Sequence, residues 1–179
     1  VDAAAAEATG DPTGEPLWSQ QWDMAQIDVP EAHAVTTGDP SVVVGVLDSY
    51  ASDPRGGSAP LTAEVRERLV PALRAHPTTL VLLALDDGQP LGLCIGFWGL
   101  SSFRARPLLN IHDLAVRPGH RSKGIGRALL TTAEALARQR GCCKLTLEIQ
   151  EDNLPARQLY ERFGFGDVRY GDSGPTRFL

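Results

Sequence analysis

The segment that most constrains the fold is LAVRPGHRSKGIGRALL, which runs from Leu114 to Leu130. An apolar stretch, a basic loop with two glycines and a helical pattern follow one another in it without a gap. Glycine lets the backbone turn tightly and approach a ligand, and the first N–H groups of a helix have no acceptor within that helix. Together with the helix dipole and the basic side chains, this order predicts an anion site whose natural guest is a diphosphate.

The spacing of the glycines narrows the kind of loop. A dinucleotide fingerprint needs a glycine three residues after Gly126, where Leu129 stands, and a P-loop needs a Gly-Lys pair that the chain lacks. The pattern R-x-x-G-x-G is present at Arg121, Gly124 and Gly126. Further along, N-x-x-A-x-x-x-Y-x-x-x-G-F is formed by Asn153, Ala156, Tyr160, Gly164 and Phe165.

Hydrophobic periodicity predicts a mixed α/β chain. Residues 62–76 have helical spacing with Thr62 as N-cap and Pro71 as a point where the helix bends or ends. Residues 78–86 and 90–100 are typical of a β-hairpin around Asp87-Gly88-Gln89. A strand at 108–116, a helix from 125 to near 141 and a strand at 144–150 then make a β-α-β unit. A helix beginning at Asn153 and short strands at 164–170 and 176–179 complete the chain.

This element order, with the two signatures inside it, resembles the GNAT superfamily of acyl-CoA N-acyltransferases over about residues 50–179. The resemblance implies an α/β fold with a central, mostly antiparallel sheet whose fourth and fifth strands splay apart and whose faces are flanked by helices. It also implies acetyl-CoA as the cosubstrate, direct attack by a primary amine through a tetrahedral intermediate, and no metal. The acceptor is an amine of a small molecule or of a protein.

The resemblance assigns roles to individual residues. Backbone groups of Leu114 and Val116 would pair with the pantetheine arm, and the Leu114 N–H would polarise the thioester carbonyl. Amides of residues 121–126 would hold the pyrophosphate, and Asn153 would contact the pantetheine. The full set of expected cofactor-binding residues is Leu114, Ala115, Val116, Arg121, Ser122, Lys123, Gly124, Ile125, Gly126, Arg127, Asn153 and Tyr160.

The same resemblance gives Tyr160 the role of general acid and leaves two candidates for the base, with a water relay or no single base as the remaining alternative. His112 stands two residues before Leu114, so on a regular strand it shares that residue's face. Glu148 stands twelve residues before Tyr160, the spacing of the base in ribosomal-protein alanine acetyltransferases. Asp113 is expected on the opposite face in a structural role.

The first third of the chain fits less well. Residues 16–49 also resemble the start of a subtilisin-like protease domain, with Asp48 at the triad aspartate, but the histidine and serine contexts of a triad are missing. Alternatively, WDMAQIDV is the first strand and VVVGVLDSYASDP the first helix of the acetyltransferase fold. Four valines and a glycine favour a strand for the latter, so propensity and the expected fold disagree.

Length and charge set the remaining expectations. The 179 residues suit a flexible tail at 1–16 and one domain at 17–179, of which 17–49 is atypical. A net charge of −5, unpaired cysteines and no long apolar run argue against nucleic acid or membrane partners and favour the cytoplasm. A homodimer is compatible with the resemblance. The alternative function is a catalytically silent acyl-CoA-binding module or sensor.

Overall fold

The computed structural model describes residues 24–27, 40–54 and 56–166. The strands of this part of the chain form one sheet in chain order. Antiparallel pairing joins the second, third and fourth strands through the two longest ladders, and each outer strand pairs in parallel with its neighbour. The strands are β1 (Met24–Ile27), β2 (Thr79–Asp86), β3 (Gln89–Ser101), β4 (Arg106–Val116) and β5 (Leu145–Leu147).

Two pairs of helices cover the sheet, one on each face. Helices α1 (Pro40–Ala51) and α2 (Ala63–Ala75) pack on one face, and α3 (Ile125–Gln139) and α4 (Leu154–Phe163) on the other. Each face therefore has its own apolar core. Since β2 and β3 contribute buried side chains to both cores, they are the centre of the domain.

Helix α1 forms although its composition favours a strand. Val43 and Val46 lie three residues apart, point into the core shared with α2 and are almost completely buried. Burying such side chains contributes about 1.5–3 kcal/mol each, which exceeds the few tenths by which valine is a worse helix former than alanine. Tertiary packing therefore decides the conformation of this segment, as the acetyltransferase register requires.

Local signals correctly identified the β2–β3 turn and the ends of α2 and α4. The β2–β3 turn has positive φ at both Asp87 (45°) and Gly88 (75°), as a two-residue hairpin requires. Thr62 caps α2, Asn153 caps α4, and Gly164 ends α4 in the left-handed conformation. Helix α2 continues through Pro71 to Ala75, so it does not end at the proline, although Pro71 donates no backbone hydrogen bond.

The strand after α3 is shorter than expected, and several expected segments lie outside the described residues. The strand expected at 144–150 is paired only over Leu145–Leu147, because the neighbouring β4 turns away from it beyond Ile111. The expected tail at 1–16, the strand expected at 176–179 and most of the 16–49 segment lie outside the described residues. Of the strand expected at 164–170, only residues 164–166 are described; Gly164 ends α4, and these three residues form no strand. Within the described part, no helix is long and apolar enough to cross a membrane.

Candidate active site

A gap opens between β4 and β5 at the C-terminal end of the sheet. The two strands pair only from Leu109 to Ile111 on β4, whereas β4 continues to Val116. The Arg117 N–H donates to the Leu91 carbonyl on the β3 side (2.8 Å). Because backbone groups alternate in direction along an antiparallel strand, those of Leu114 and Val116 point away from β3, toward the gap.

A β-bulge in β4 makes the backbone groups of Leu114 and Val116 point toward the gap. Ile95 pairs with Asp113 and the next residue of β3, Gly96, pairs with Ile111, so His112 is the extra residue on β4. A bulge changes which residues face the partner strand beyond it. On the near side of the bulge, the Leu109 N–H points toward β5 and donates to the Lys144 carbonyl (3.2 Å).

The bulge also corrects the expected direction of His112. The His112 ring contacts Phe97 edge-on, with 5.6 Å between centroids, and Phe97 packs against the core under α1 and α2. Leu114 packs instead against the core under α3. The expectation that the two share a face is wrong, because the bulge interrupts the period of two. Two consecutive polar residues between Ile111 and Leu114 were the signal in the sequence.

A cleft of about 420 Å³ lies at the gap and brings both signatures together. Its walls are the end of β4, the loop before α3, the first turn of α3 and one side of α4. Of the twelve residues expected to bind the cofactor, eleven line it and Lys123 does not. The eleven are Leu114, Ala115, Val116, Arg121, Ser122, Gly124, Ile125, Gly126, Arg127, Asn153 and Tyr160.

The loop before α3 is built by left-handed backbone conformations. Gly119, Ser122 and Gly124 have φ of 82°, 62° and 86°. The first intrahelical bond of α3 runs from the Ala128 N–H to the Gly124 carbonyl (2.9 Å), so the three N–H groups before it are left for a ligand. A Cβ at Gly124 would meet no atom within 4 Å.

These features fit the pyrophosphate of acetyl-CoA. Helix N-termini attract anions through unpaired N–H groups and the helix dipole, and Arg127 adds a positive charge at the wall of the cleft. Gly126 has a different purpose from Gly124, because a Cβ there would come within 3.1 Å of the Leu159 side chain. It allows α3 and α4 to approach each other at the cleft.

Tyr160 lines the cleft from α4 and packs edge-on against Phe165, with 5.8 Å between ring centroids. Burial raises the pKa of its phenol to about 12, and the nearby Cys94, Tyr50 and Asp113 act in the same direction. The phenol therefore stays protonated at neutral pH and can donate a proton. Asn153, at the start of α4, uses its side-chain oxygen to accept from the Ala156 N–H (3.4 Å).

The two candidate bases lie outside the cleft lining. Glu148, just beyond β5, accepts from the side-chain amide of Asn110 (3.2 and 3.4 Å), which also donates to the Thr146 hydroxyl (3.1 Å). Glu148 and His112 are both exposed. Asn110 pairs with Phe97 in the β3–β4 ladder, and Phe97 contacts His112, so both candidates border one surface on the α1/α2 side of the gap.

Tyr50 was not recognised from the sequence as a residue of the cleft, and Asp113 was expected only in a structural role. Tyr50, at the end of α1, lines the cleft, and burial followed by the charges of Asp113 and Asp53 raises the pKa of its phenol. Asp113 is partly buried on the α1 side, and that burial raises the pKa of its carboxyl, against the effect of His112. Tyr50 carried no local signal, because only the packing of α1 brings it to the cleft.

The comparisons with known proteins agree with this geometry. Residues 41–165 match the acetyltransferase (GNAT) family. The chain is 35% identical to a streptothricin acetyltransferase of Streptomyces lavendulae over 71% of this chain, and it spans only 58% of that protein's length. It is 30% identical to a putative ribosomal protein bS18 alanine N-acetyltransferase of Bacillus subtilis, over 60% of this chain and 70% of the relative. A crystal structure of a putative acetyltransferase from Arthrobacter sp. FB24 superposes with a TM-score of 0.67, at 27% identity, over 88% and 97% of the two chains.

The resemblance of residues 16–49 to a protease is not borne out. The matched family begins at residue 41, within that segment. Asp48, the expected triad residue, lies on α1 and accepts from the Leu61 N–H (2.7 Å) while pairing with both its oxygens to Arg66 (3.0 Å each). These contacts attach α1 to α2 and are structural.

Proposed function

From the premise that the chain belongs to the GNAT family of acetyltransferases, we propose that it transfers the acetyl group of acetyl-CoA to a primary amine. The acceptor belongs to a small molecule or a protein. The amine nitrogen bonds to the acetyl carbon, the carbon–sulfur bond breaks, and the products are an amide and CoA. The proposal extends the family's chemistry to named residues of this chain.

The observation that carries the proposal is the convergence of both signatures on one cleft. The N-terminus of α3 lies at one end, Tyr160 forms a wall, and the backbone of Leu114 points into the gap between β4 and β5. An extended amide-bearing arm in that gap would pair with β4 as a strand does. The Leu114 N–H would then polarise the thioester carbonyl, a contribution of a few kcal/mol for one such donor.

Two proton transfers complete the proposed reaction. Tyr160 protonates the departing thiolate, for which its raised pKa keeps the phenol in the donor form. A base takes the proton of the attacking amine, directly or through water. Glu148 and His112 remain the candidates, and both border the α1/α2 side of the gap from which an acceptor would approach.

Glu148 has the stronger structural support for this role. The Asn110 amide holds its carboxylate in place at the point where β4 and β5 separate. His112 borders the same surface, where its ring contacts Phe97 edge-on. We therefore expect Glu148→Gln to remove the acidic limb of the pH profile of kcat/KM, and His112→Gln to leave it in place. The reverse result would assign the base to His112. If the acidic limb persists in both variants, neither residue is the base.

Release of CoA from acetyl-CoA in the presence of a panel of amines tests the function as a whole. The panel should contain streptothricin, other small primary amines and peptides with a free amino-terminal alanine, because the relatives are named for acceptors of these kinds. A catalytically silent module would gain thermal stability from acetyl-CoA but turn over none of them. Wild-type protein without acceptor measures the background hydrolysis.

A further inference from the structure

The side chain of Arg121 is already engaged within the protein. Its Nη1 forms an ion pair with Asp53 (2.9 Å), and its Nε donates to the carbonyl of Val116, the last residue of β4 (3.1 Å). The Asp53 side chain is only 12% exposed and that of Arg121 34% exposed. Although Arg121 lines the cleft, most of its directional bonding goes to the protein.

Asp53 belongs to a tight turn after α1. Its N–H donates to the Tyr50 carbonyl (3.0 Å), and its own carbonyl accepts from Gly56 (2.8 Å) and Ser58 (3.2 Å). These bonds orient the carboxylate toward Arg121. They also connect it, within one turn of chain, to the tyrosine that lines the cleft from α1.

At the Arg121 end, the ion pair lies next to a strained backbone conformation in the loop. Ser122, directly after Arg121, has a φ of 62°, in the left-handed region. A residue with a side chain is strained in that region, so the conformation persists where the surroundings hold it. Arg121 is fixed to β4 on one side and to the turn after α1 on the other.

We propose that the Asp53–Arg121 pair is a positioning device that couples the α1 end to the pyrophosphate loop. Arg121 acts by holding the loop amides in their ligand-binding arrangement, and Asp53 holds Arg121. The pair thereby sets Tyr50 and the loop at a fixed separation across the cleft. The inference rests on the proposed binding of acetyl-CoA in the cleft.

A double-mutant cycle on CoA affinity tests the proposal. We expect Asp53→Asn and Arg121→Gln each to weaken CoA binding about fivefold, and the double variant no further, because the two residues act as one unit. Binding is measured by titration calorimetry with CoA itself, so no acceptor or turnover is needed. Circular dichroism and thermal unfolding confirm that each variant is folded.

Two control variants separate this role from its rivals. Asp48→Asn breaks the other ion pair of α1, with Arg66, and should leave the CoA affinity unchanged. Arg127→Gln removes a charge at the cleft wall that is expected to face phosphate, and its effect should add to that of Asp53→Asn.

The outcomes distinguish this inference from the function it rests on. If the wild-type protein binds CoA and Asp53→Asn binds it with the same affinity, the positioning role is overturned and the cofactor site is retained. A large loss in Arg121→Gln that adds to the effect of Asp53→Asn also overturns it, because it indicates a direct phosphate contact. Failure of the wild-type protein to bind CoA overturns the cofactor site and this inference together.

Discussion

The two walls of the cleft reach their structures by different routes. On one wall, the loop from Arg117 to Gly124 and the helix after it follow largely from local chemistry, because glycines occupy two of the three positions with positive φ and a helix begins directly after the second. On the other wall, helix α1 contains four valines within its first seven residues and forms because its buried face packs on the sheet.

The two walls also offer different groups to a ligand in the cleft. The loop offers backbone N–H groups, and such groups depend on chain conformation more than on side-chain identity. The α1 wall offers Tyr50 and, through Asp53, a hold on the loop. A segment whose conformation is imposed by packing can have a composition that favours another structure, as α1 does. The following variants test how far this division holds.

The largest effect is expected at Tyr160, which lines the cleft from α4. Tyr160→Phe keeps the ring contact with Phe165 but removes the proton donor, so kcat should fall by about 10²–10³-fold while KM for acetyl-CoA changes little. Steady-state kinetics with a saturating acceptor measures this. Because burial raises the phenol pKa to about 12, its deprotonation should produce no basic limb below pH 10. An unchanged kcat would remove Tyr160 from the mechanism.

On the α1 side, packing should outweigh helix propensity. Val46→Ala gains about 0.5 kcal/mol in propensity but loses a completely buried side chain, for a net loss of roughly 2 kcal/mol in the free energy of unfolding. Val44→Ala, on the same helix but only partly buried, should cost less than half as much. Urea unfolding at one pH compares the two. Equal losses would contradict the view that α1 is held by its buried face.

A comparison of two glycines separates the effect of the loop on CoA binding from its effect on stability. Gly124 and Gly88 both have positive φ (86° and 75°), and a Cβ at either would meet no atom within 4 Å. Alanine at each should therefore cost about 1 kcal/mol of stability from backbone strain. Only Gly124→Ala should also weaken CoA binding, by roughly tenfold, since it alone shapes the anion site. Similar affinity in both variants would remove the loop from the binding site.

The smallest effect is expected at Asp113, which lies between the two walls. Burial raises the pKa of its carboxyl above 3.8, so its contribution to stability is present at low pH and is lost as the pH rises through the folded-state pKa. Asp113→Asn should match the wild type near pH 3.5. Above that it should become more stable than the wild type, with a higher Tm at pH 7, because the amide has no charge that burial disfavours.

Thermal unfolding between pH 3.5 and 8 follows this difference. The matched control is Asp48→Asn, which should lower Tm at pH 7 because Asp48 pairs with Arg66 and with the Leu61 N–H. If Asp113→Asn also lowers Tm at pH 7, the Asp113 carboxylate is stabilised by a partner that outweighs the effect of its burial.

The prediction from sequence succeeded where an element depends on its own residues. Thr62, Asn153 and Gly164 end or begin helices as their types suggest, and Asp87-Gly88 forms the hairpin turn. It failed at His112, where strict alternation was assumed. A bulge depends on how one strand matches another, so a single strand contains only an indirect sign of it, here the consecutive polar residues His112 and Asp113.

Local patterns in the sequence were enough to predict the family, the order of the described elements and the glycine-bearing loop before α3, because glycine spacing, capping residues and periodicity act over a few neighbouring residues. Three other features are set by contacts that exist only in the folded domain. These are the helical state of α1, the direction of the Leu114 backbone into the gap, and the use of Arg121 by Asp53. Each of them depends on a surface, strand or carboxylate that lies far away along the chain and meets its partner only when the domain has folded.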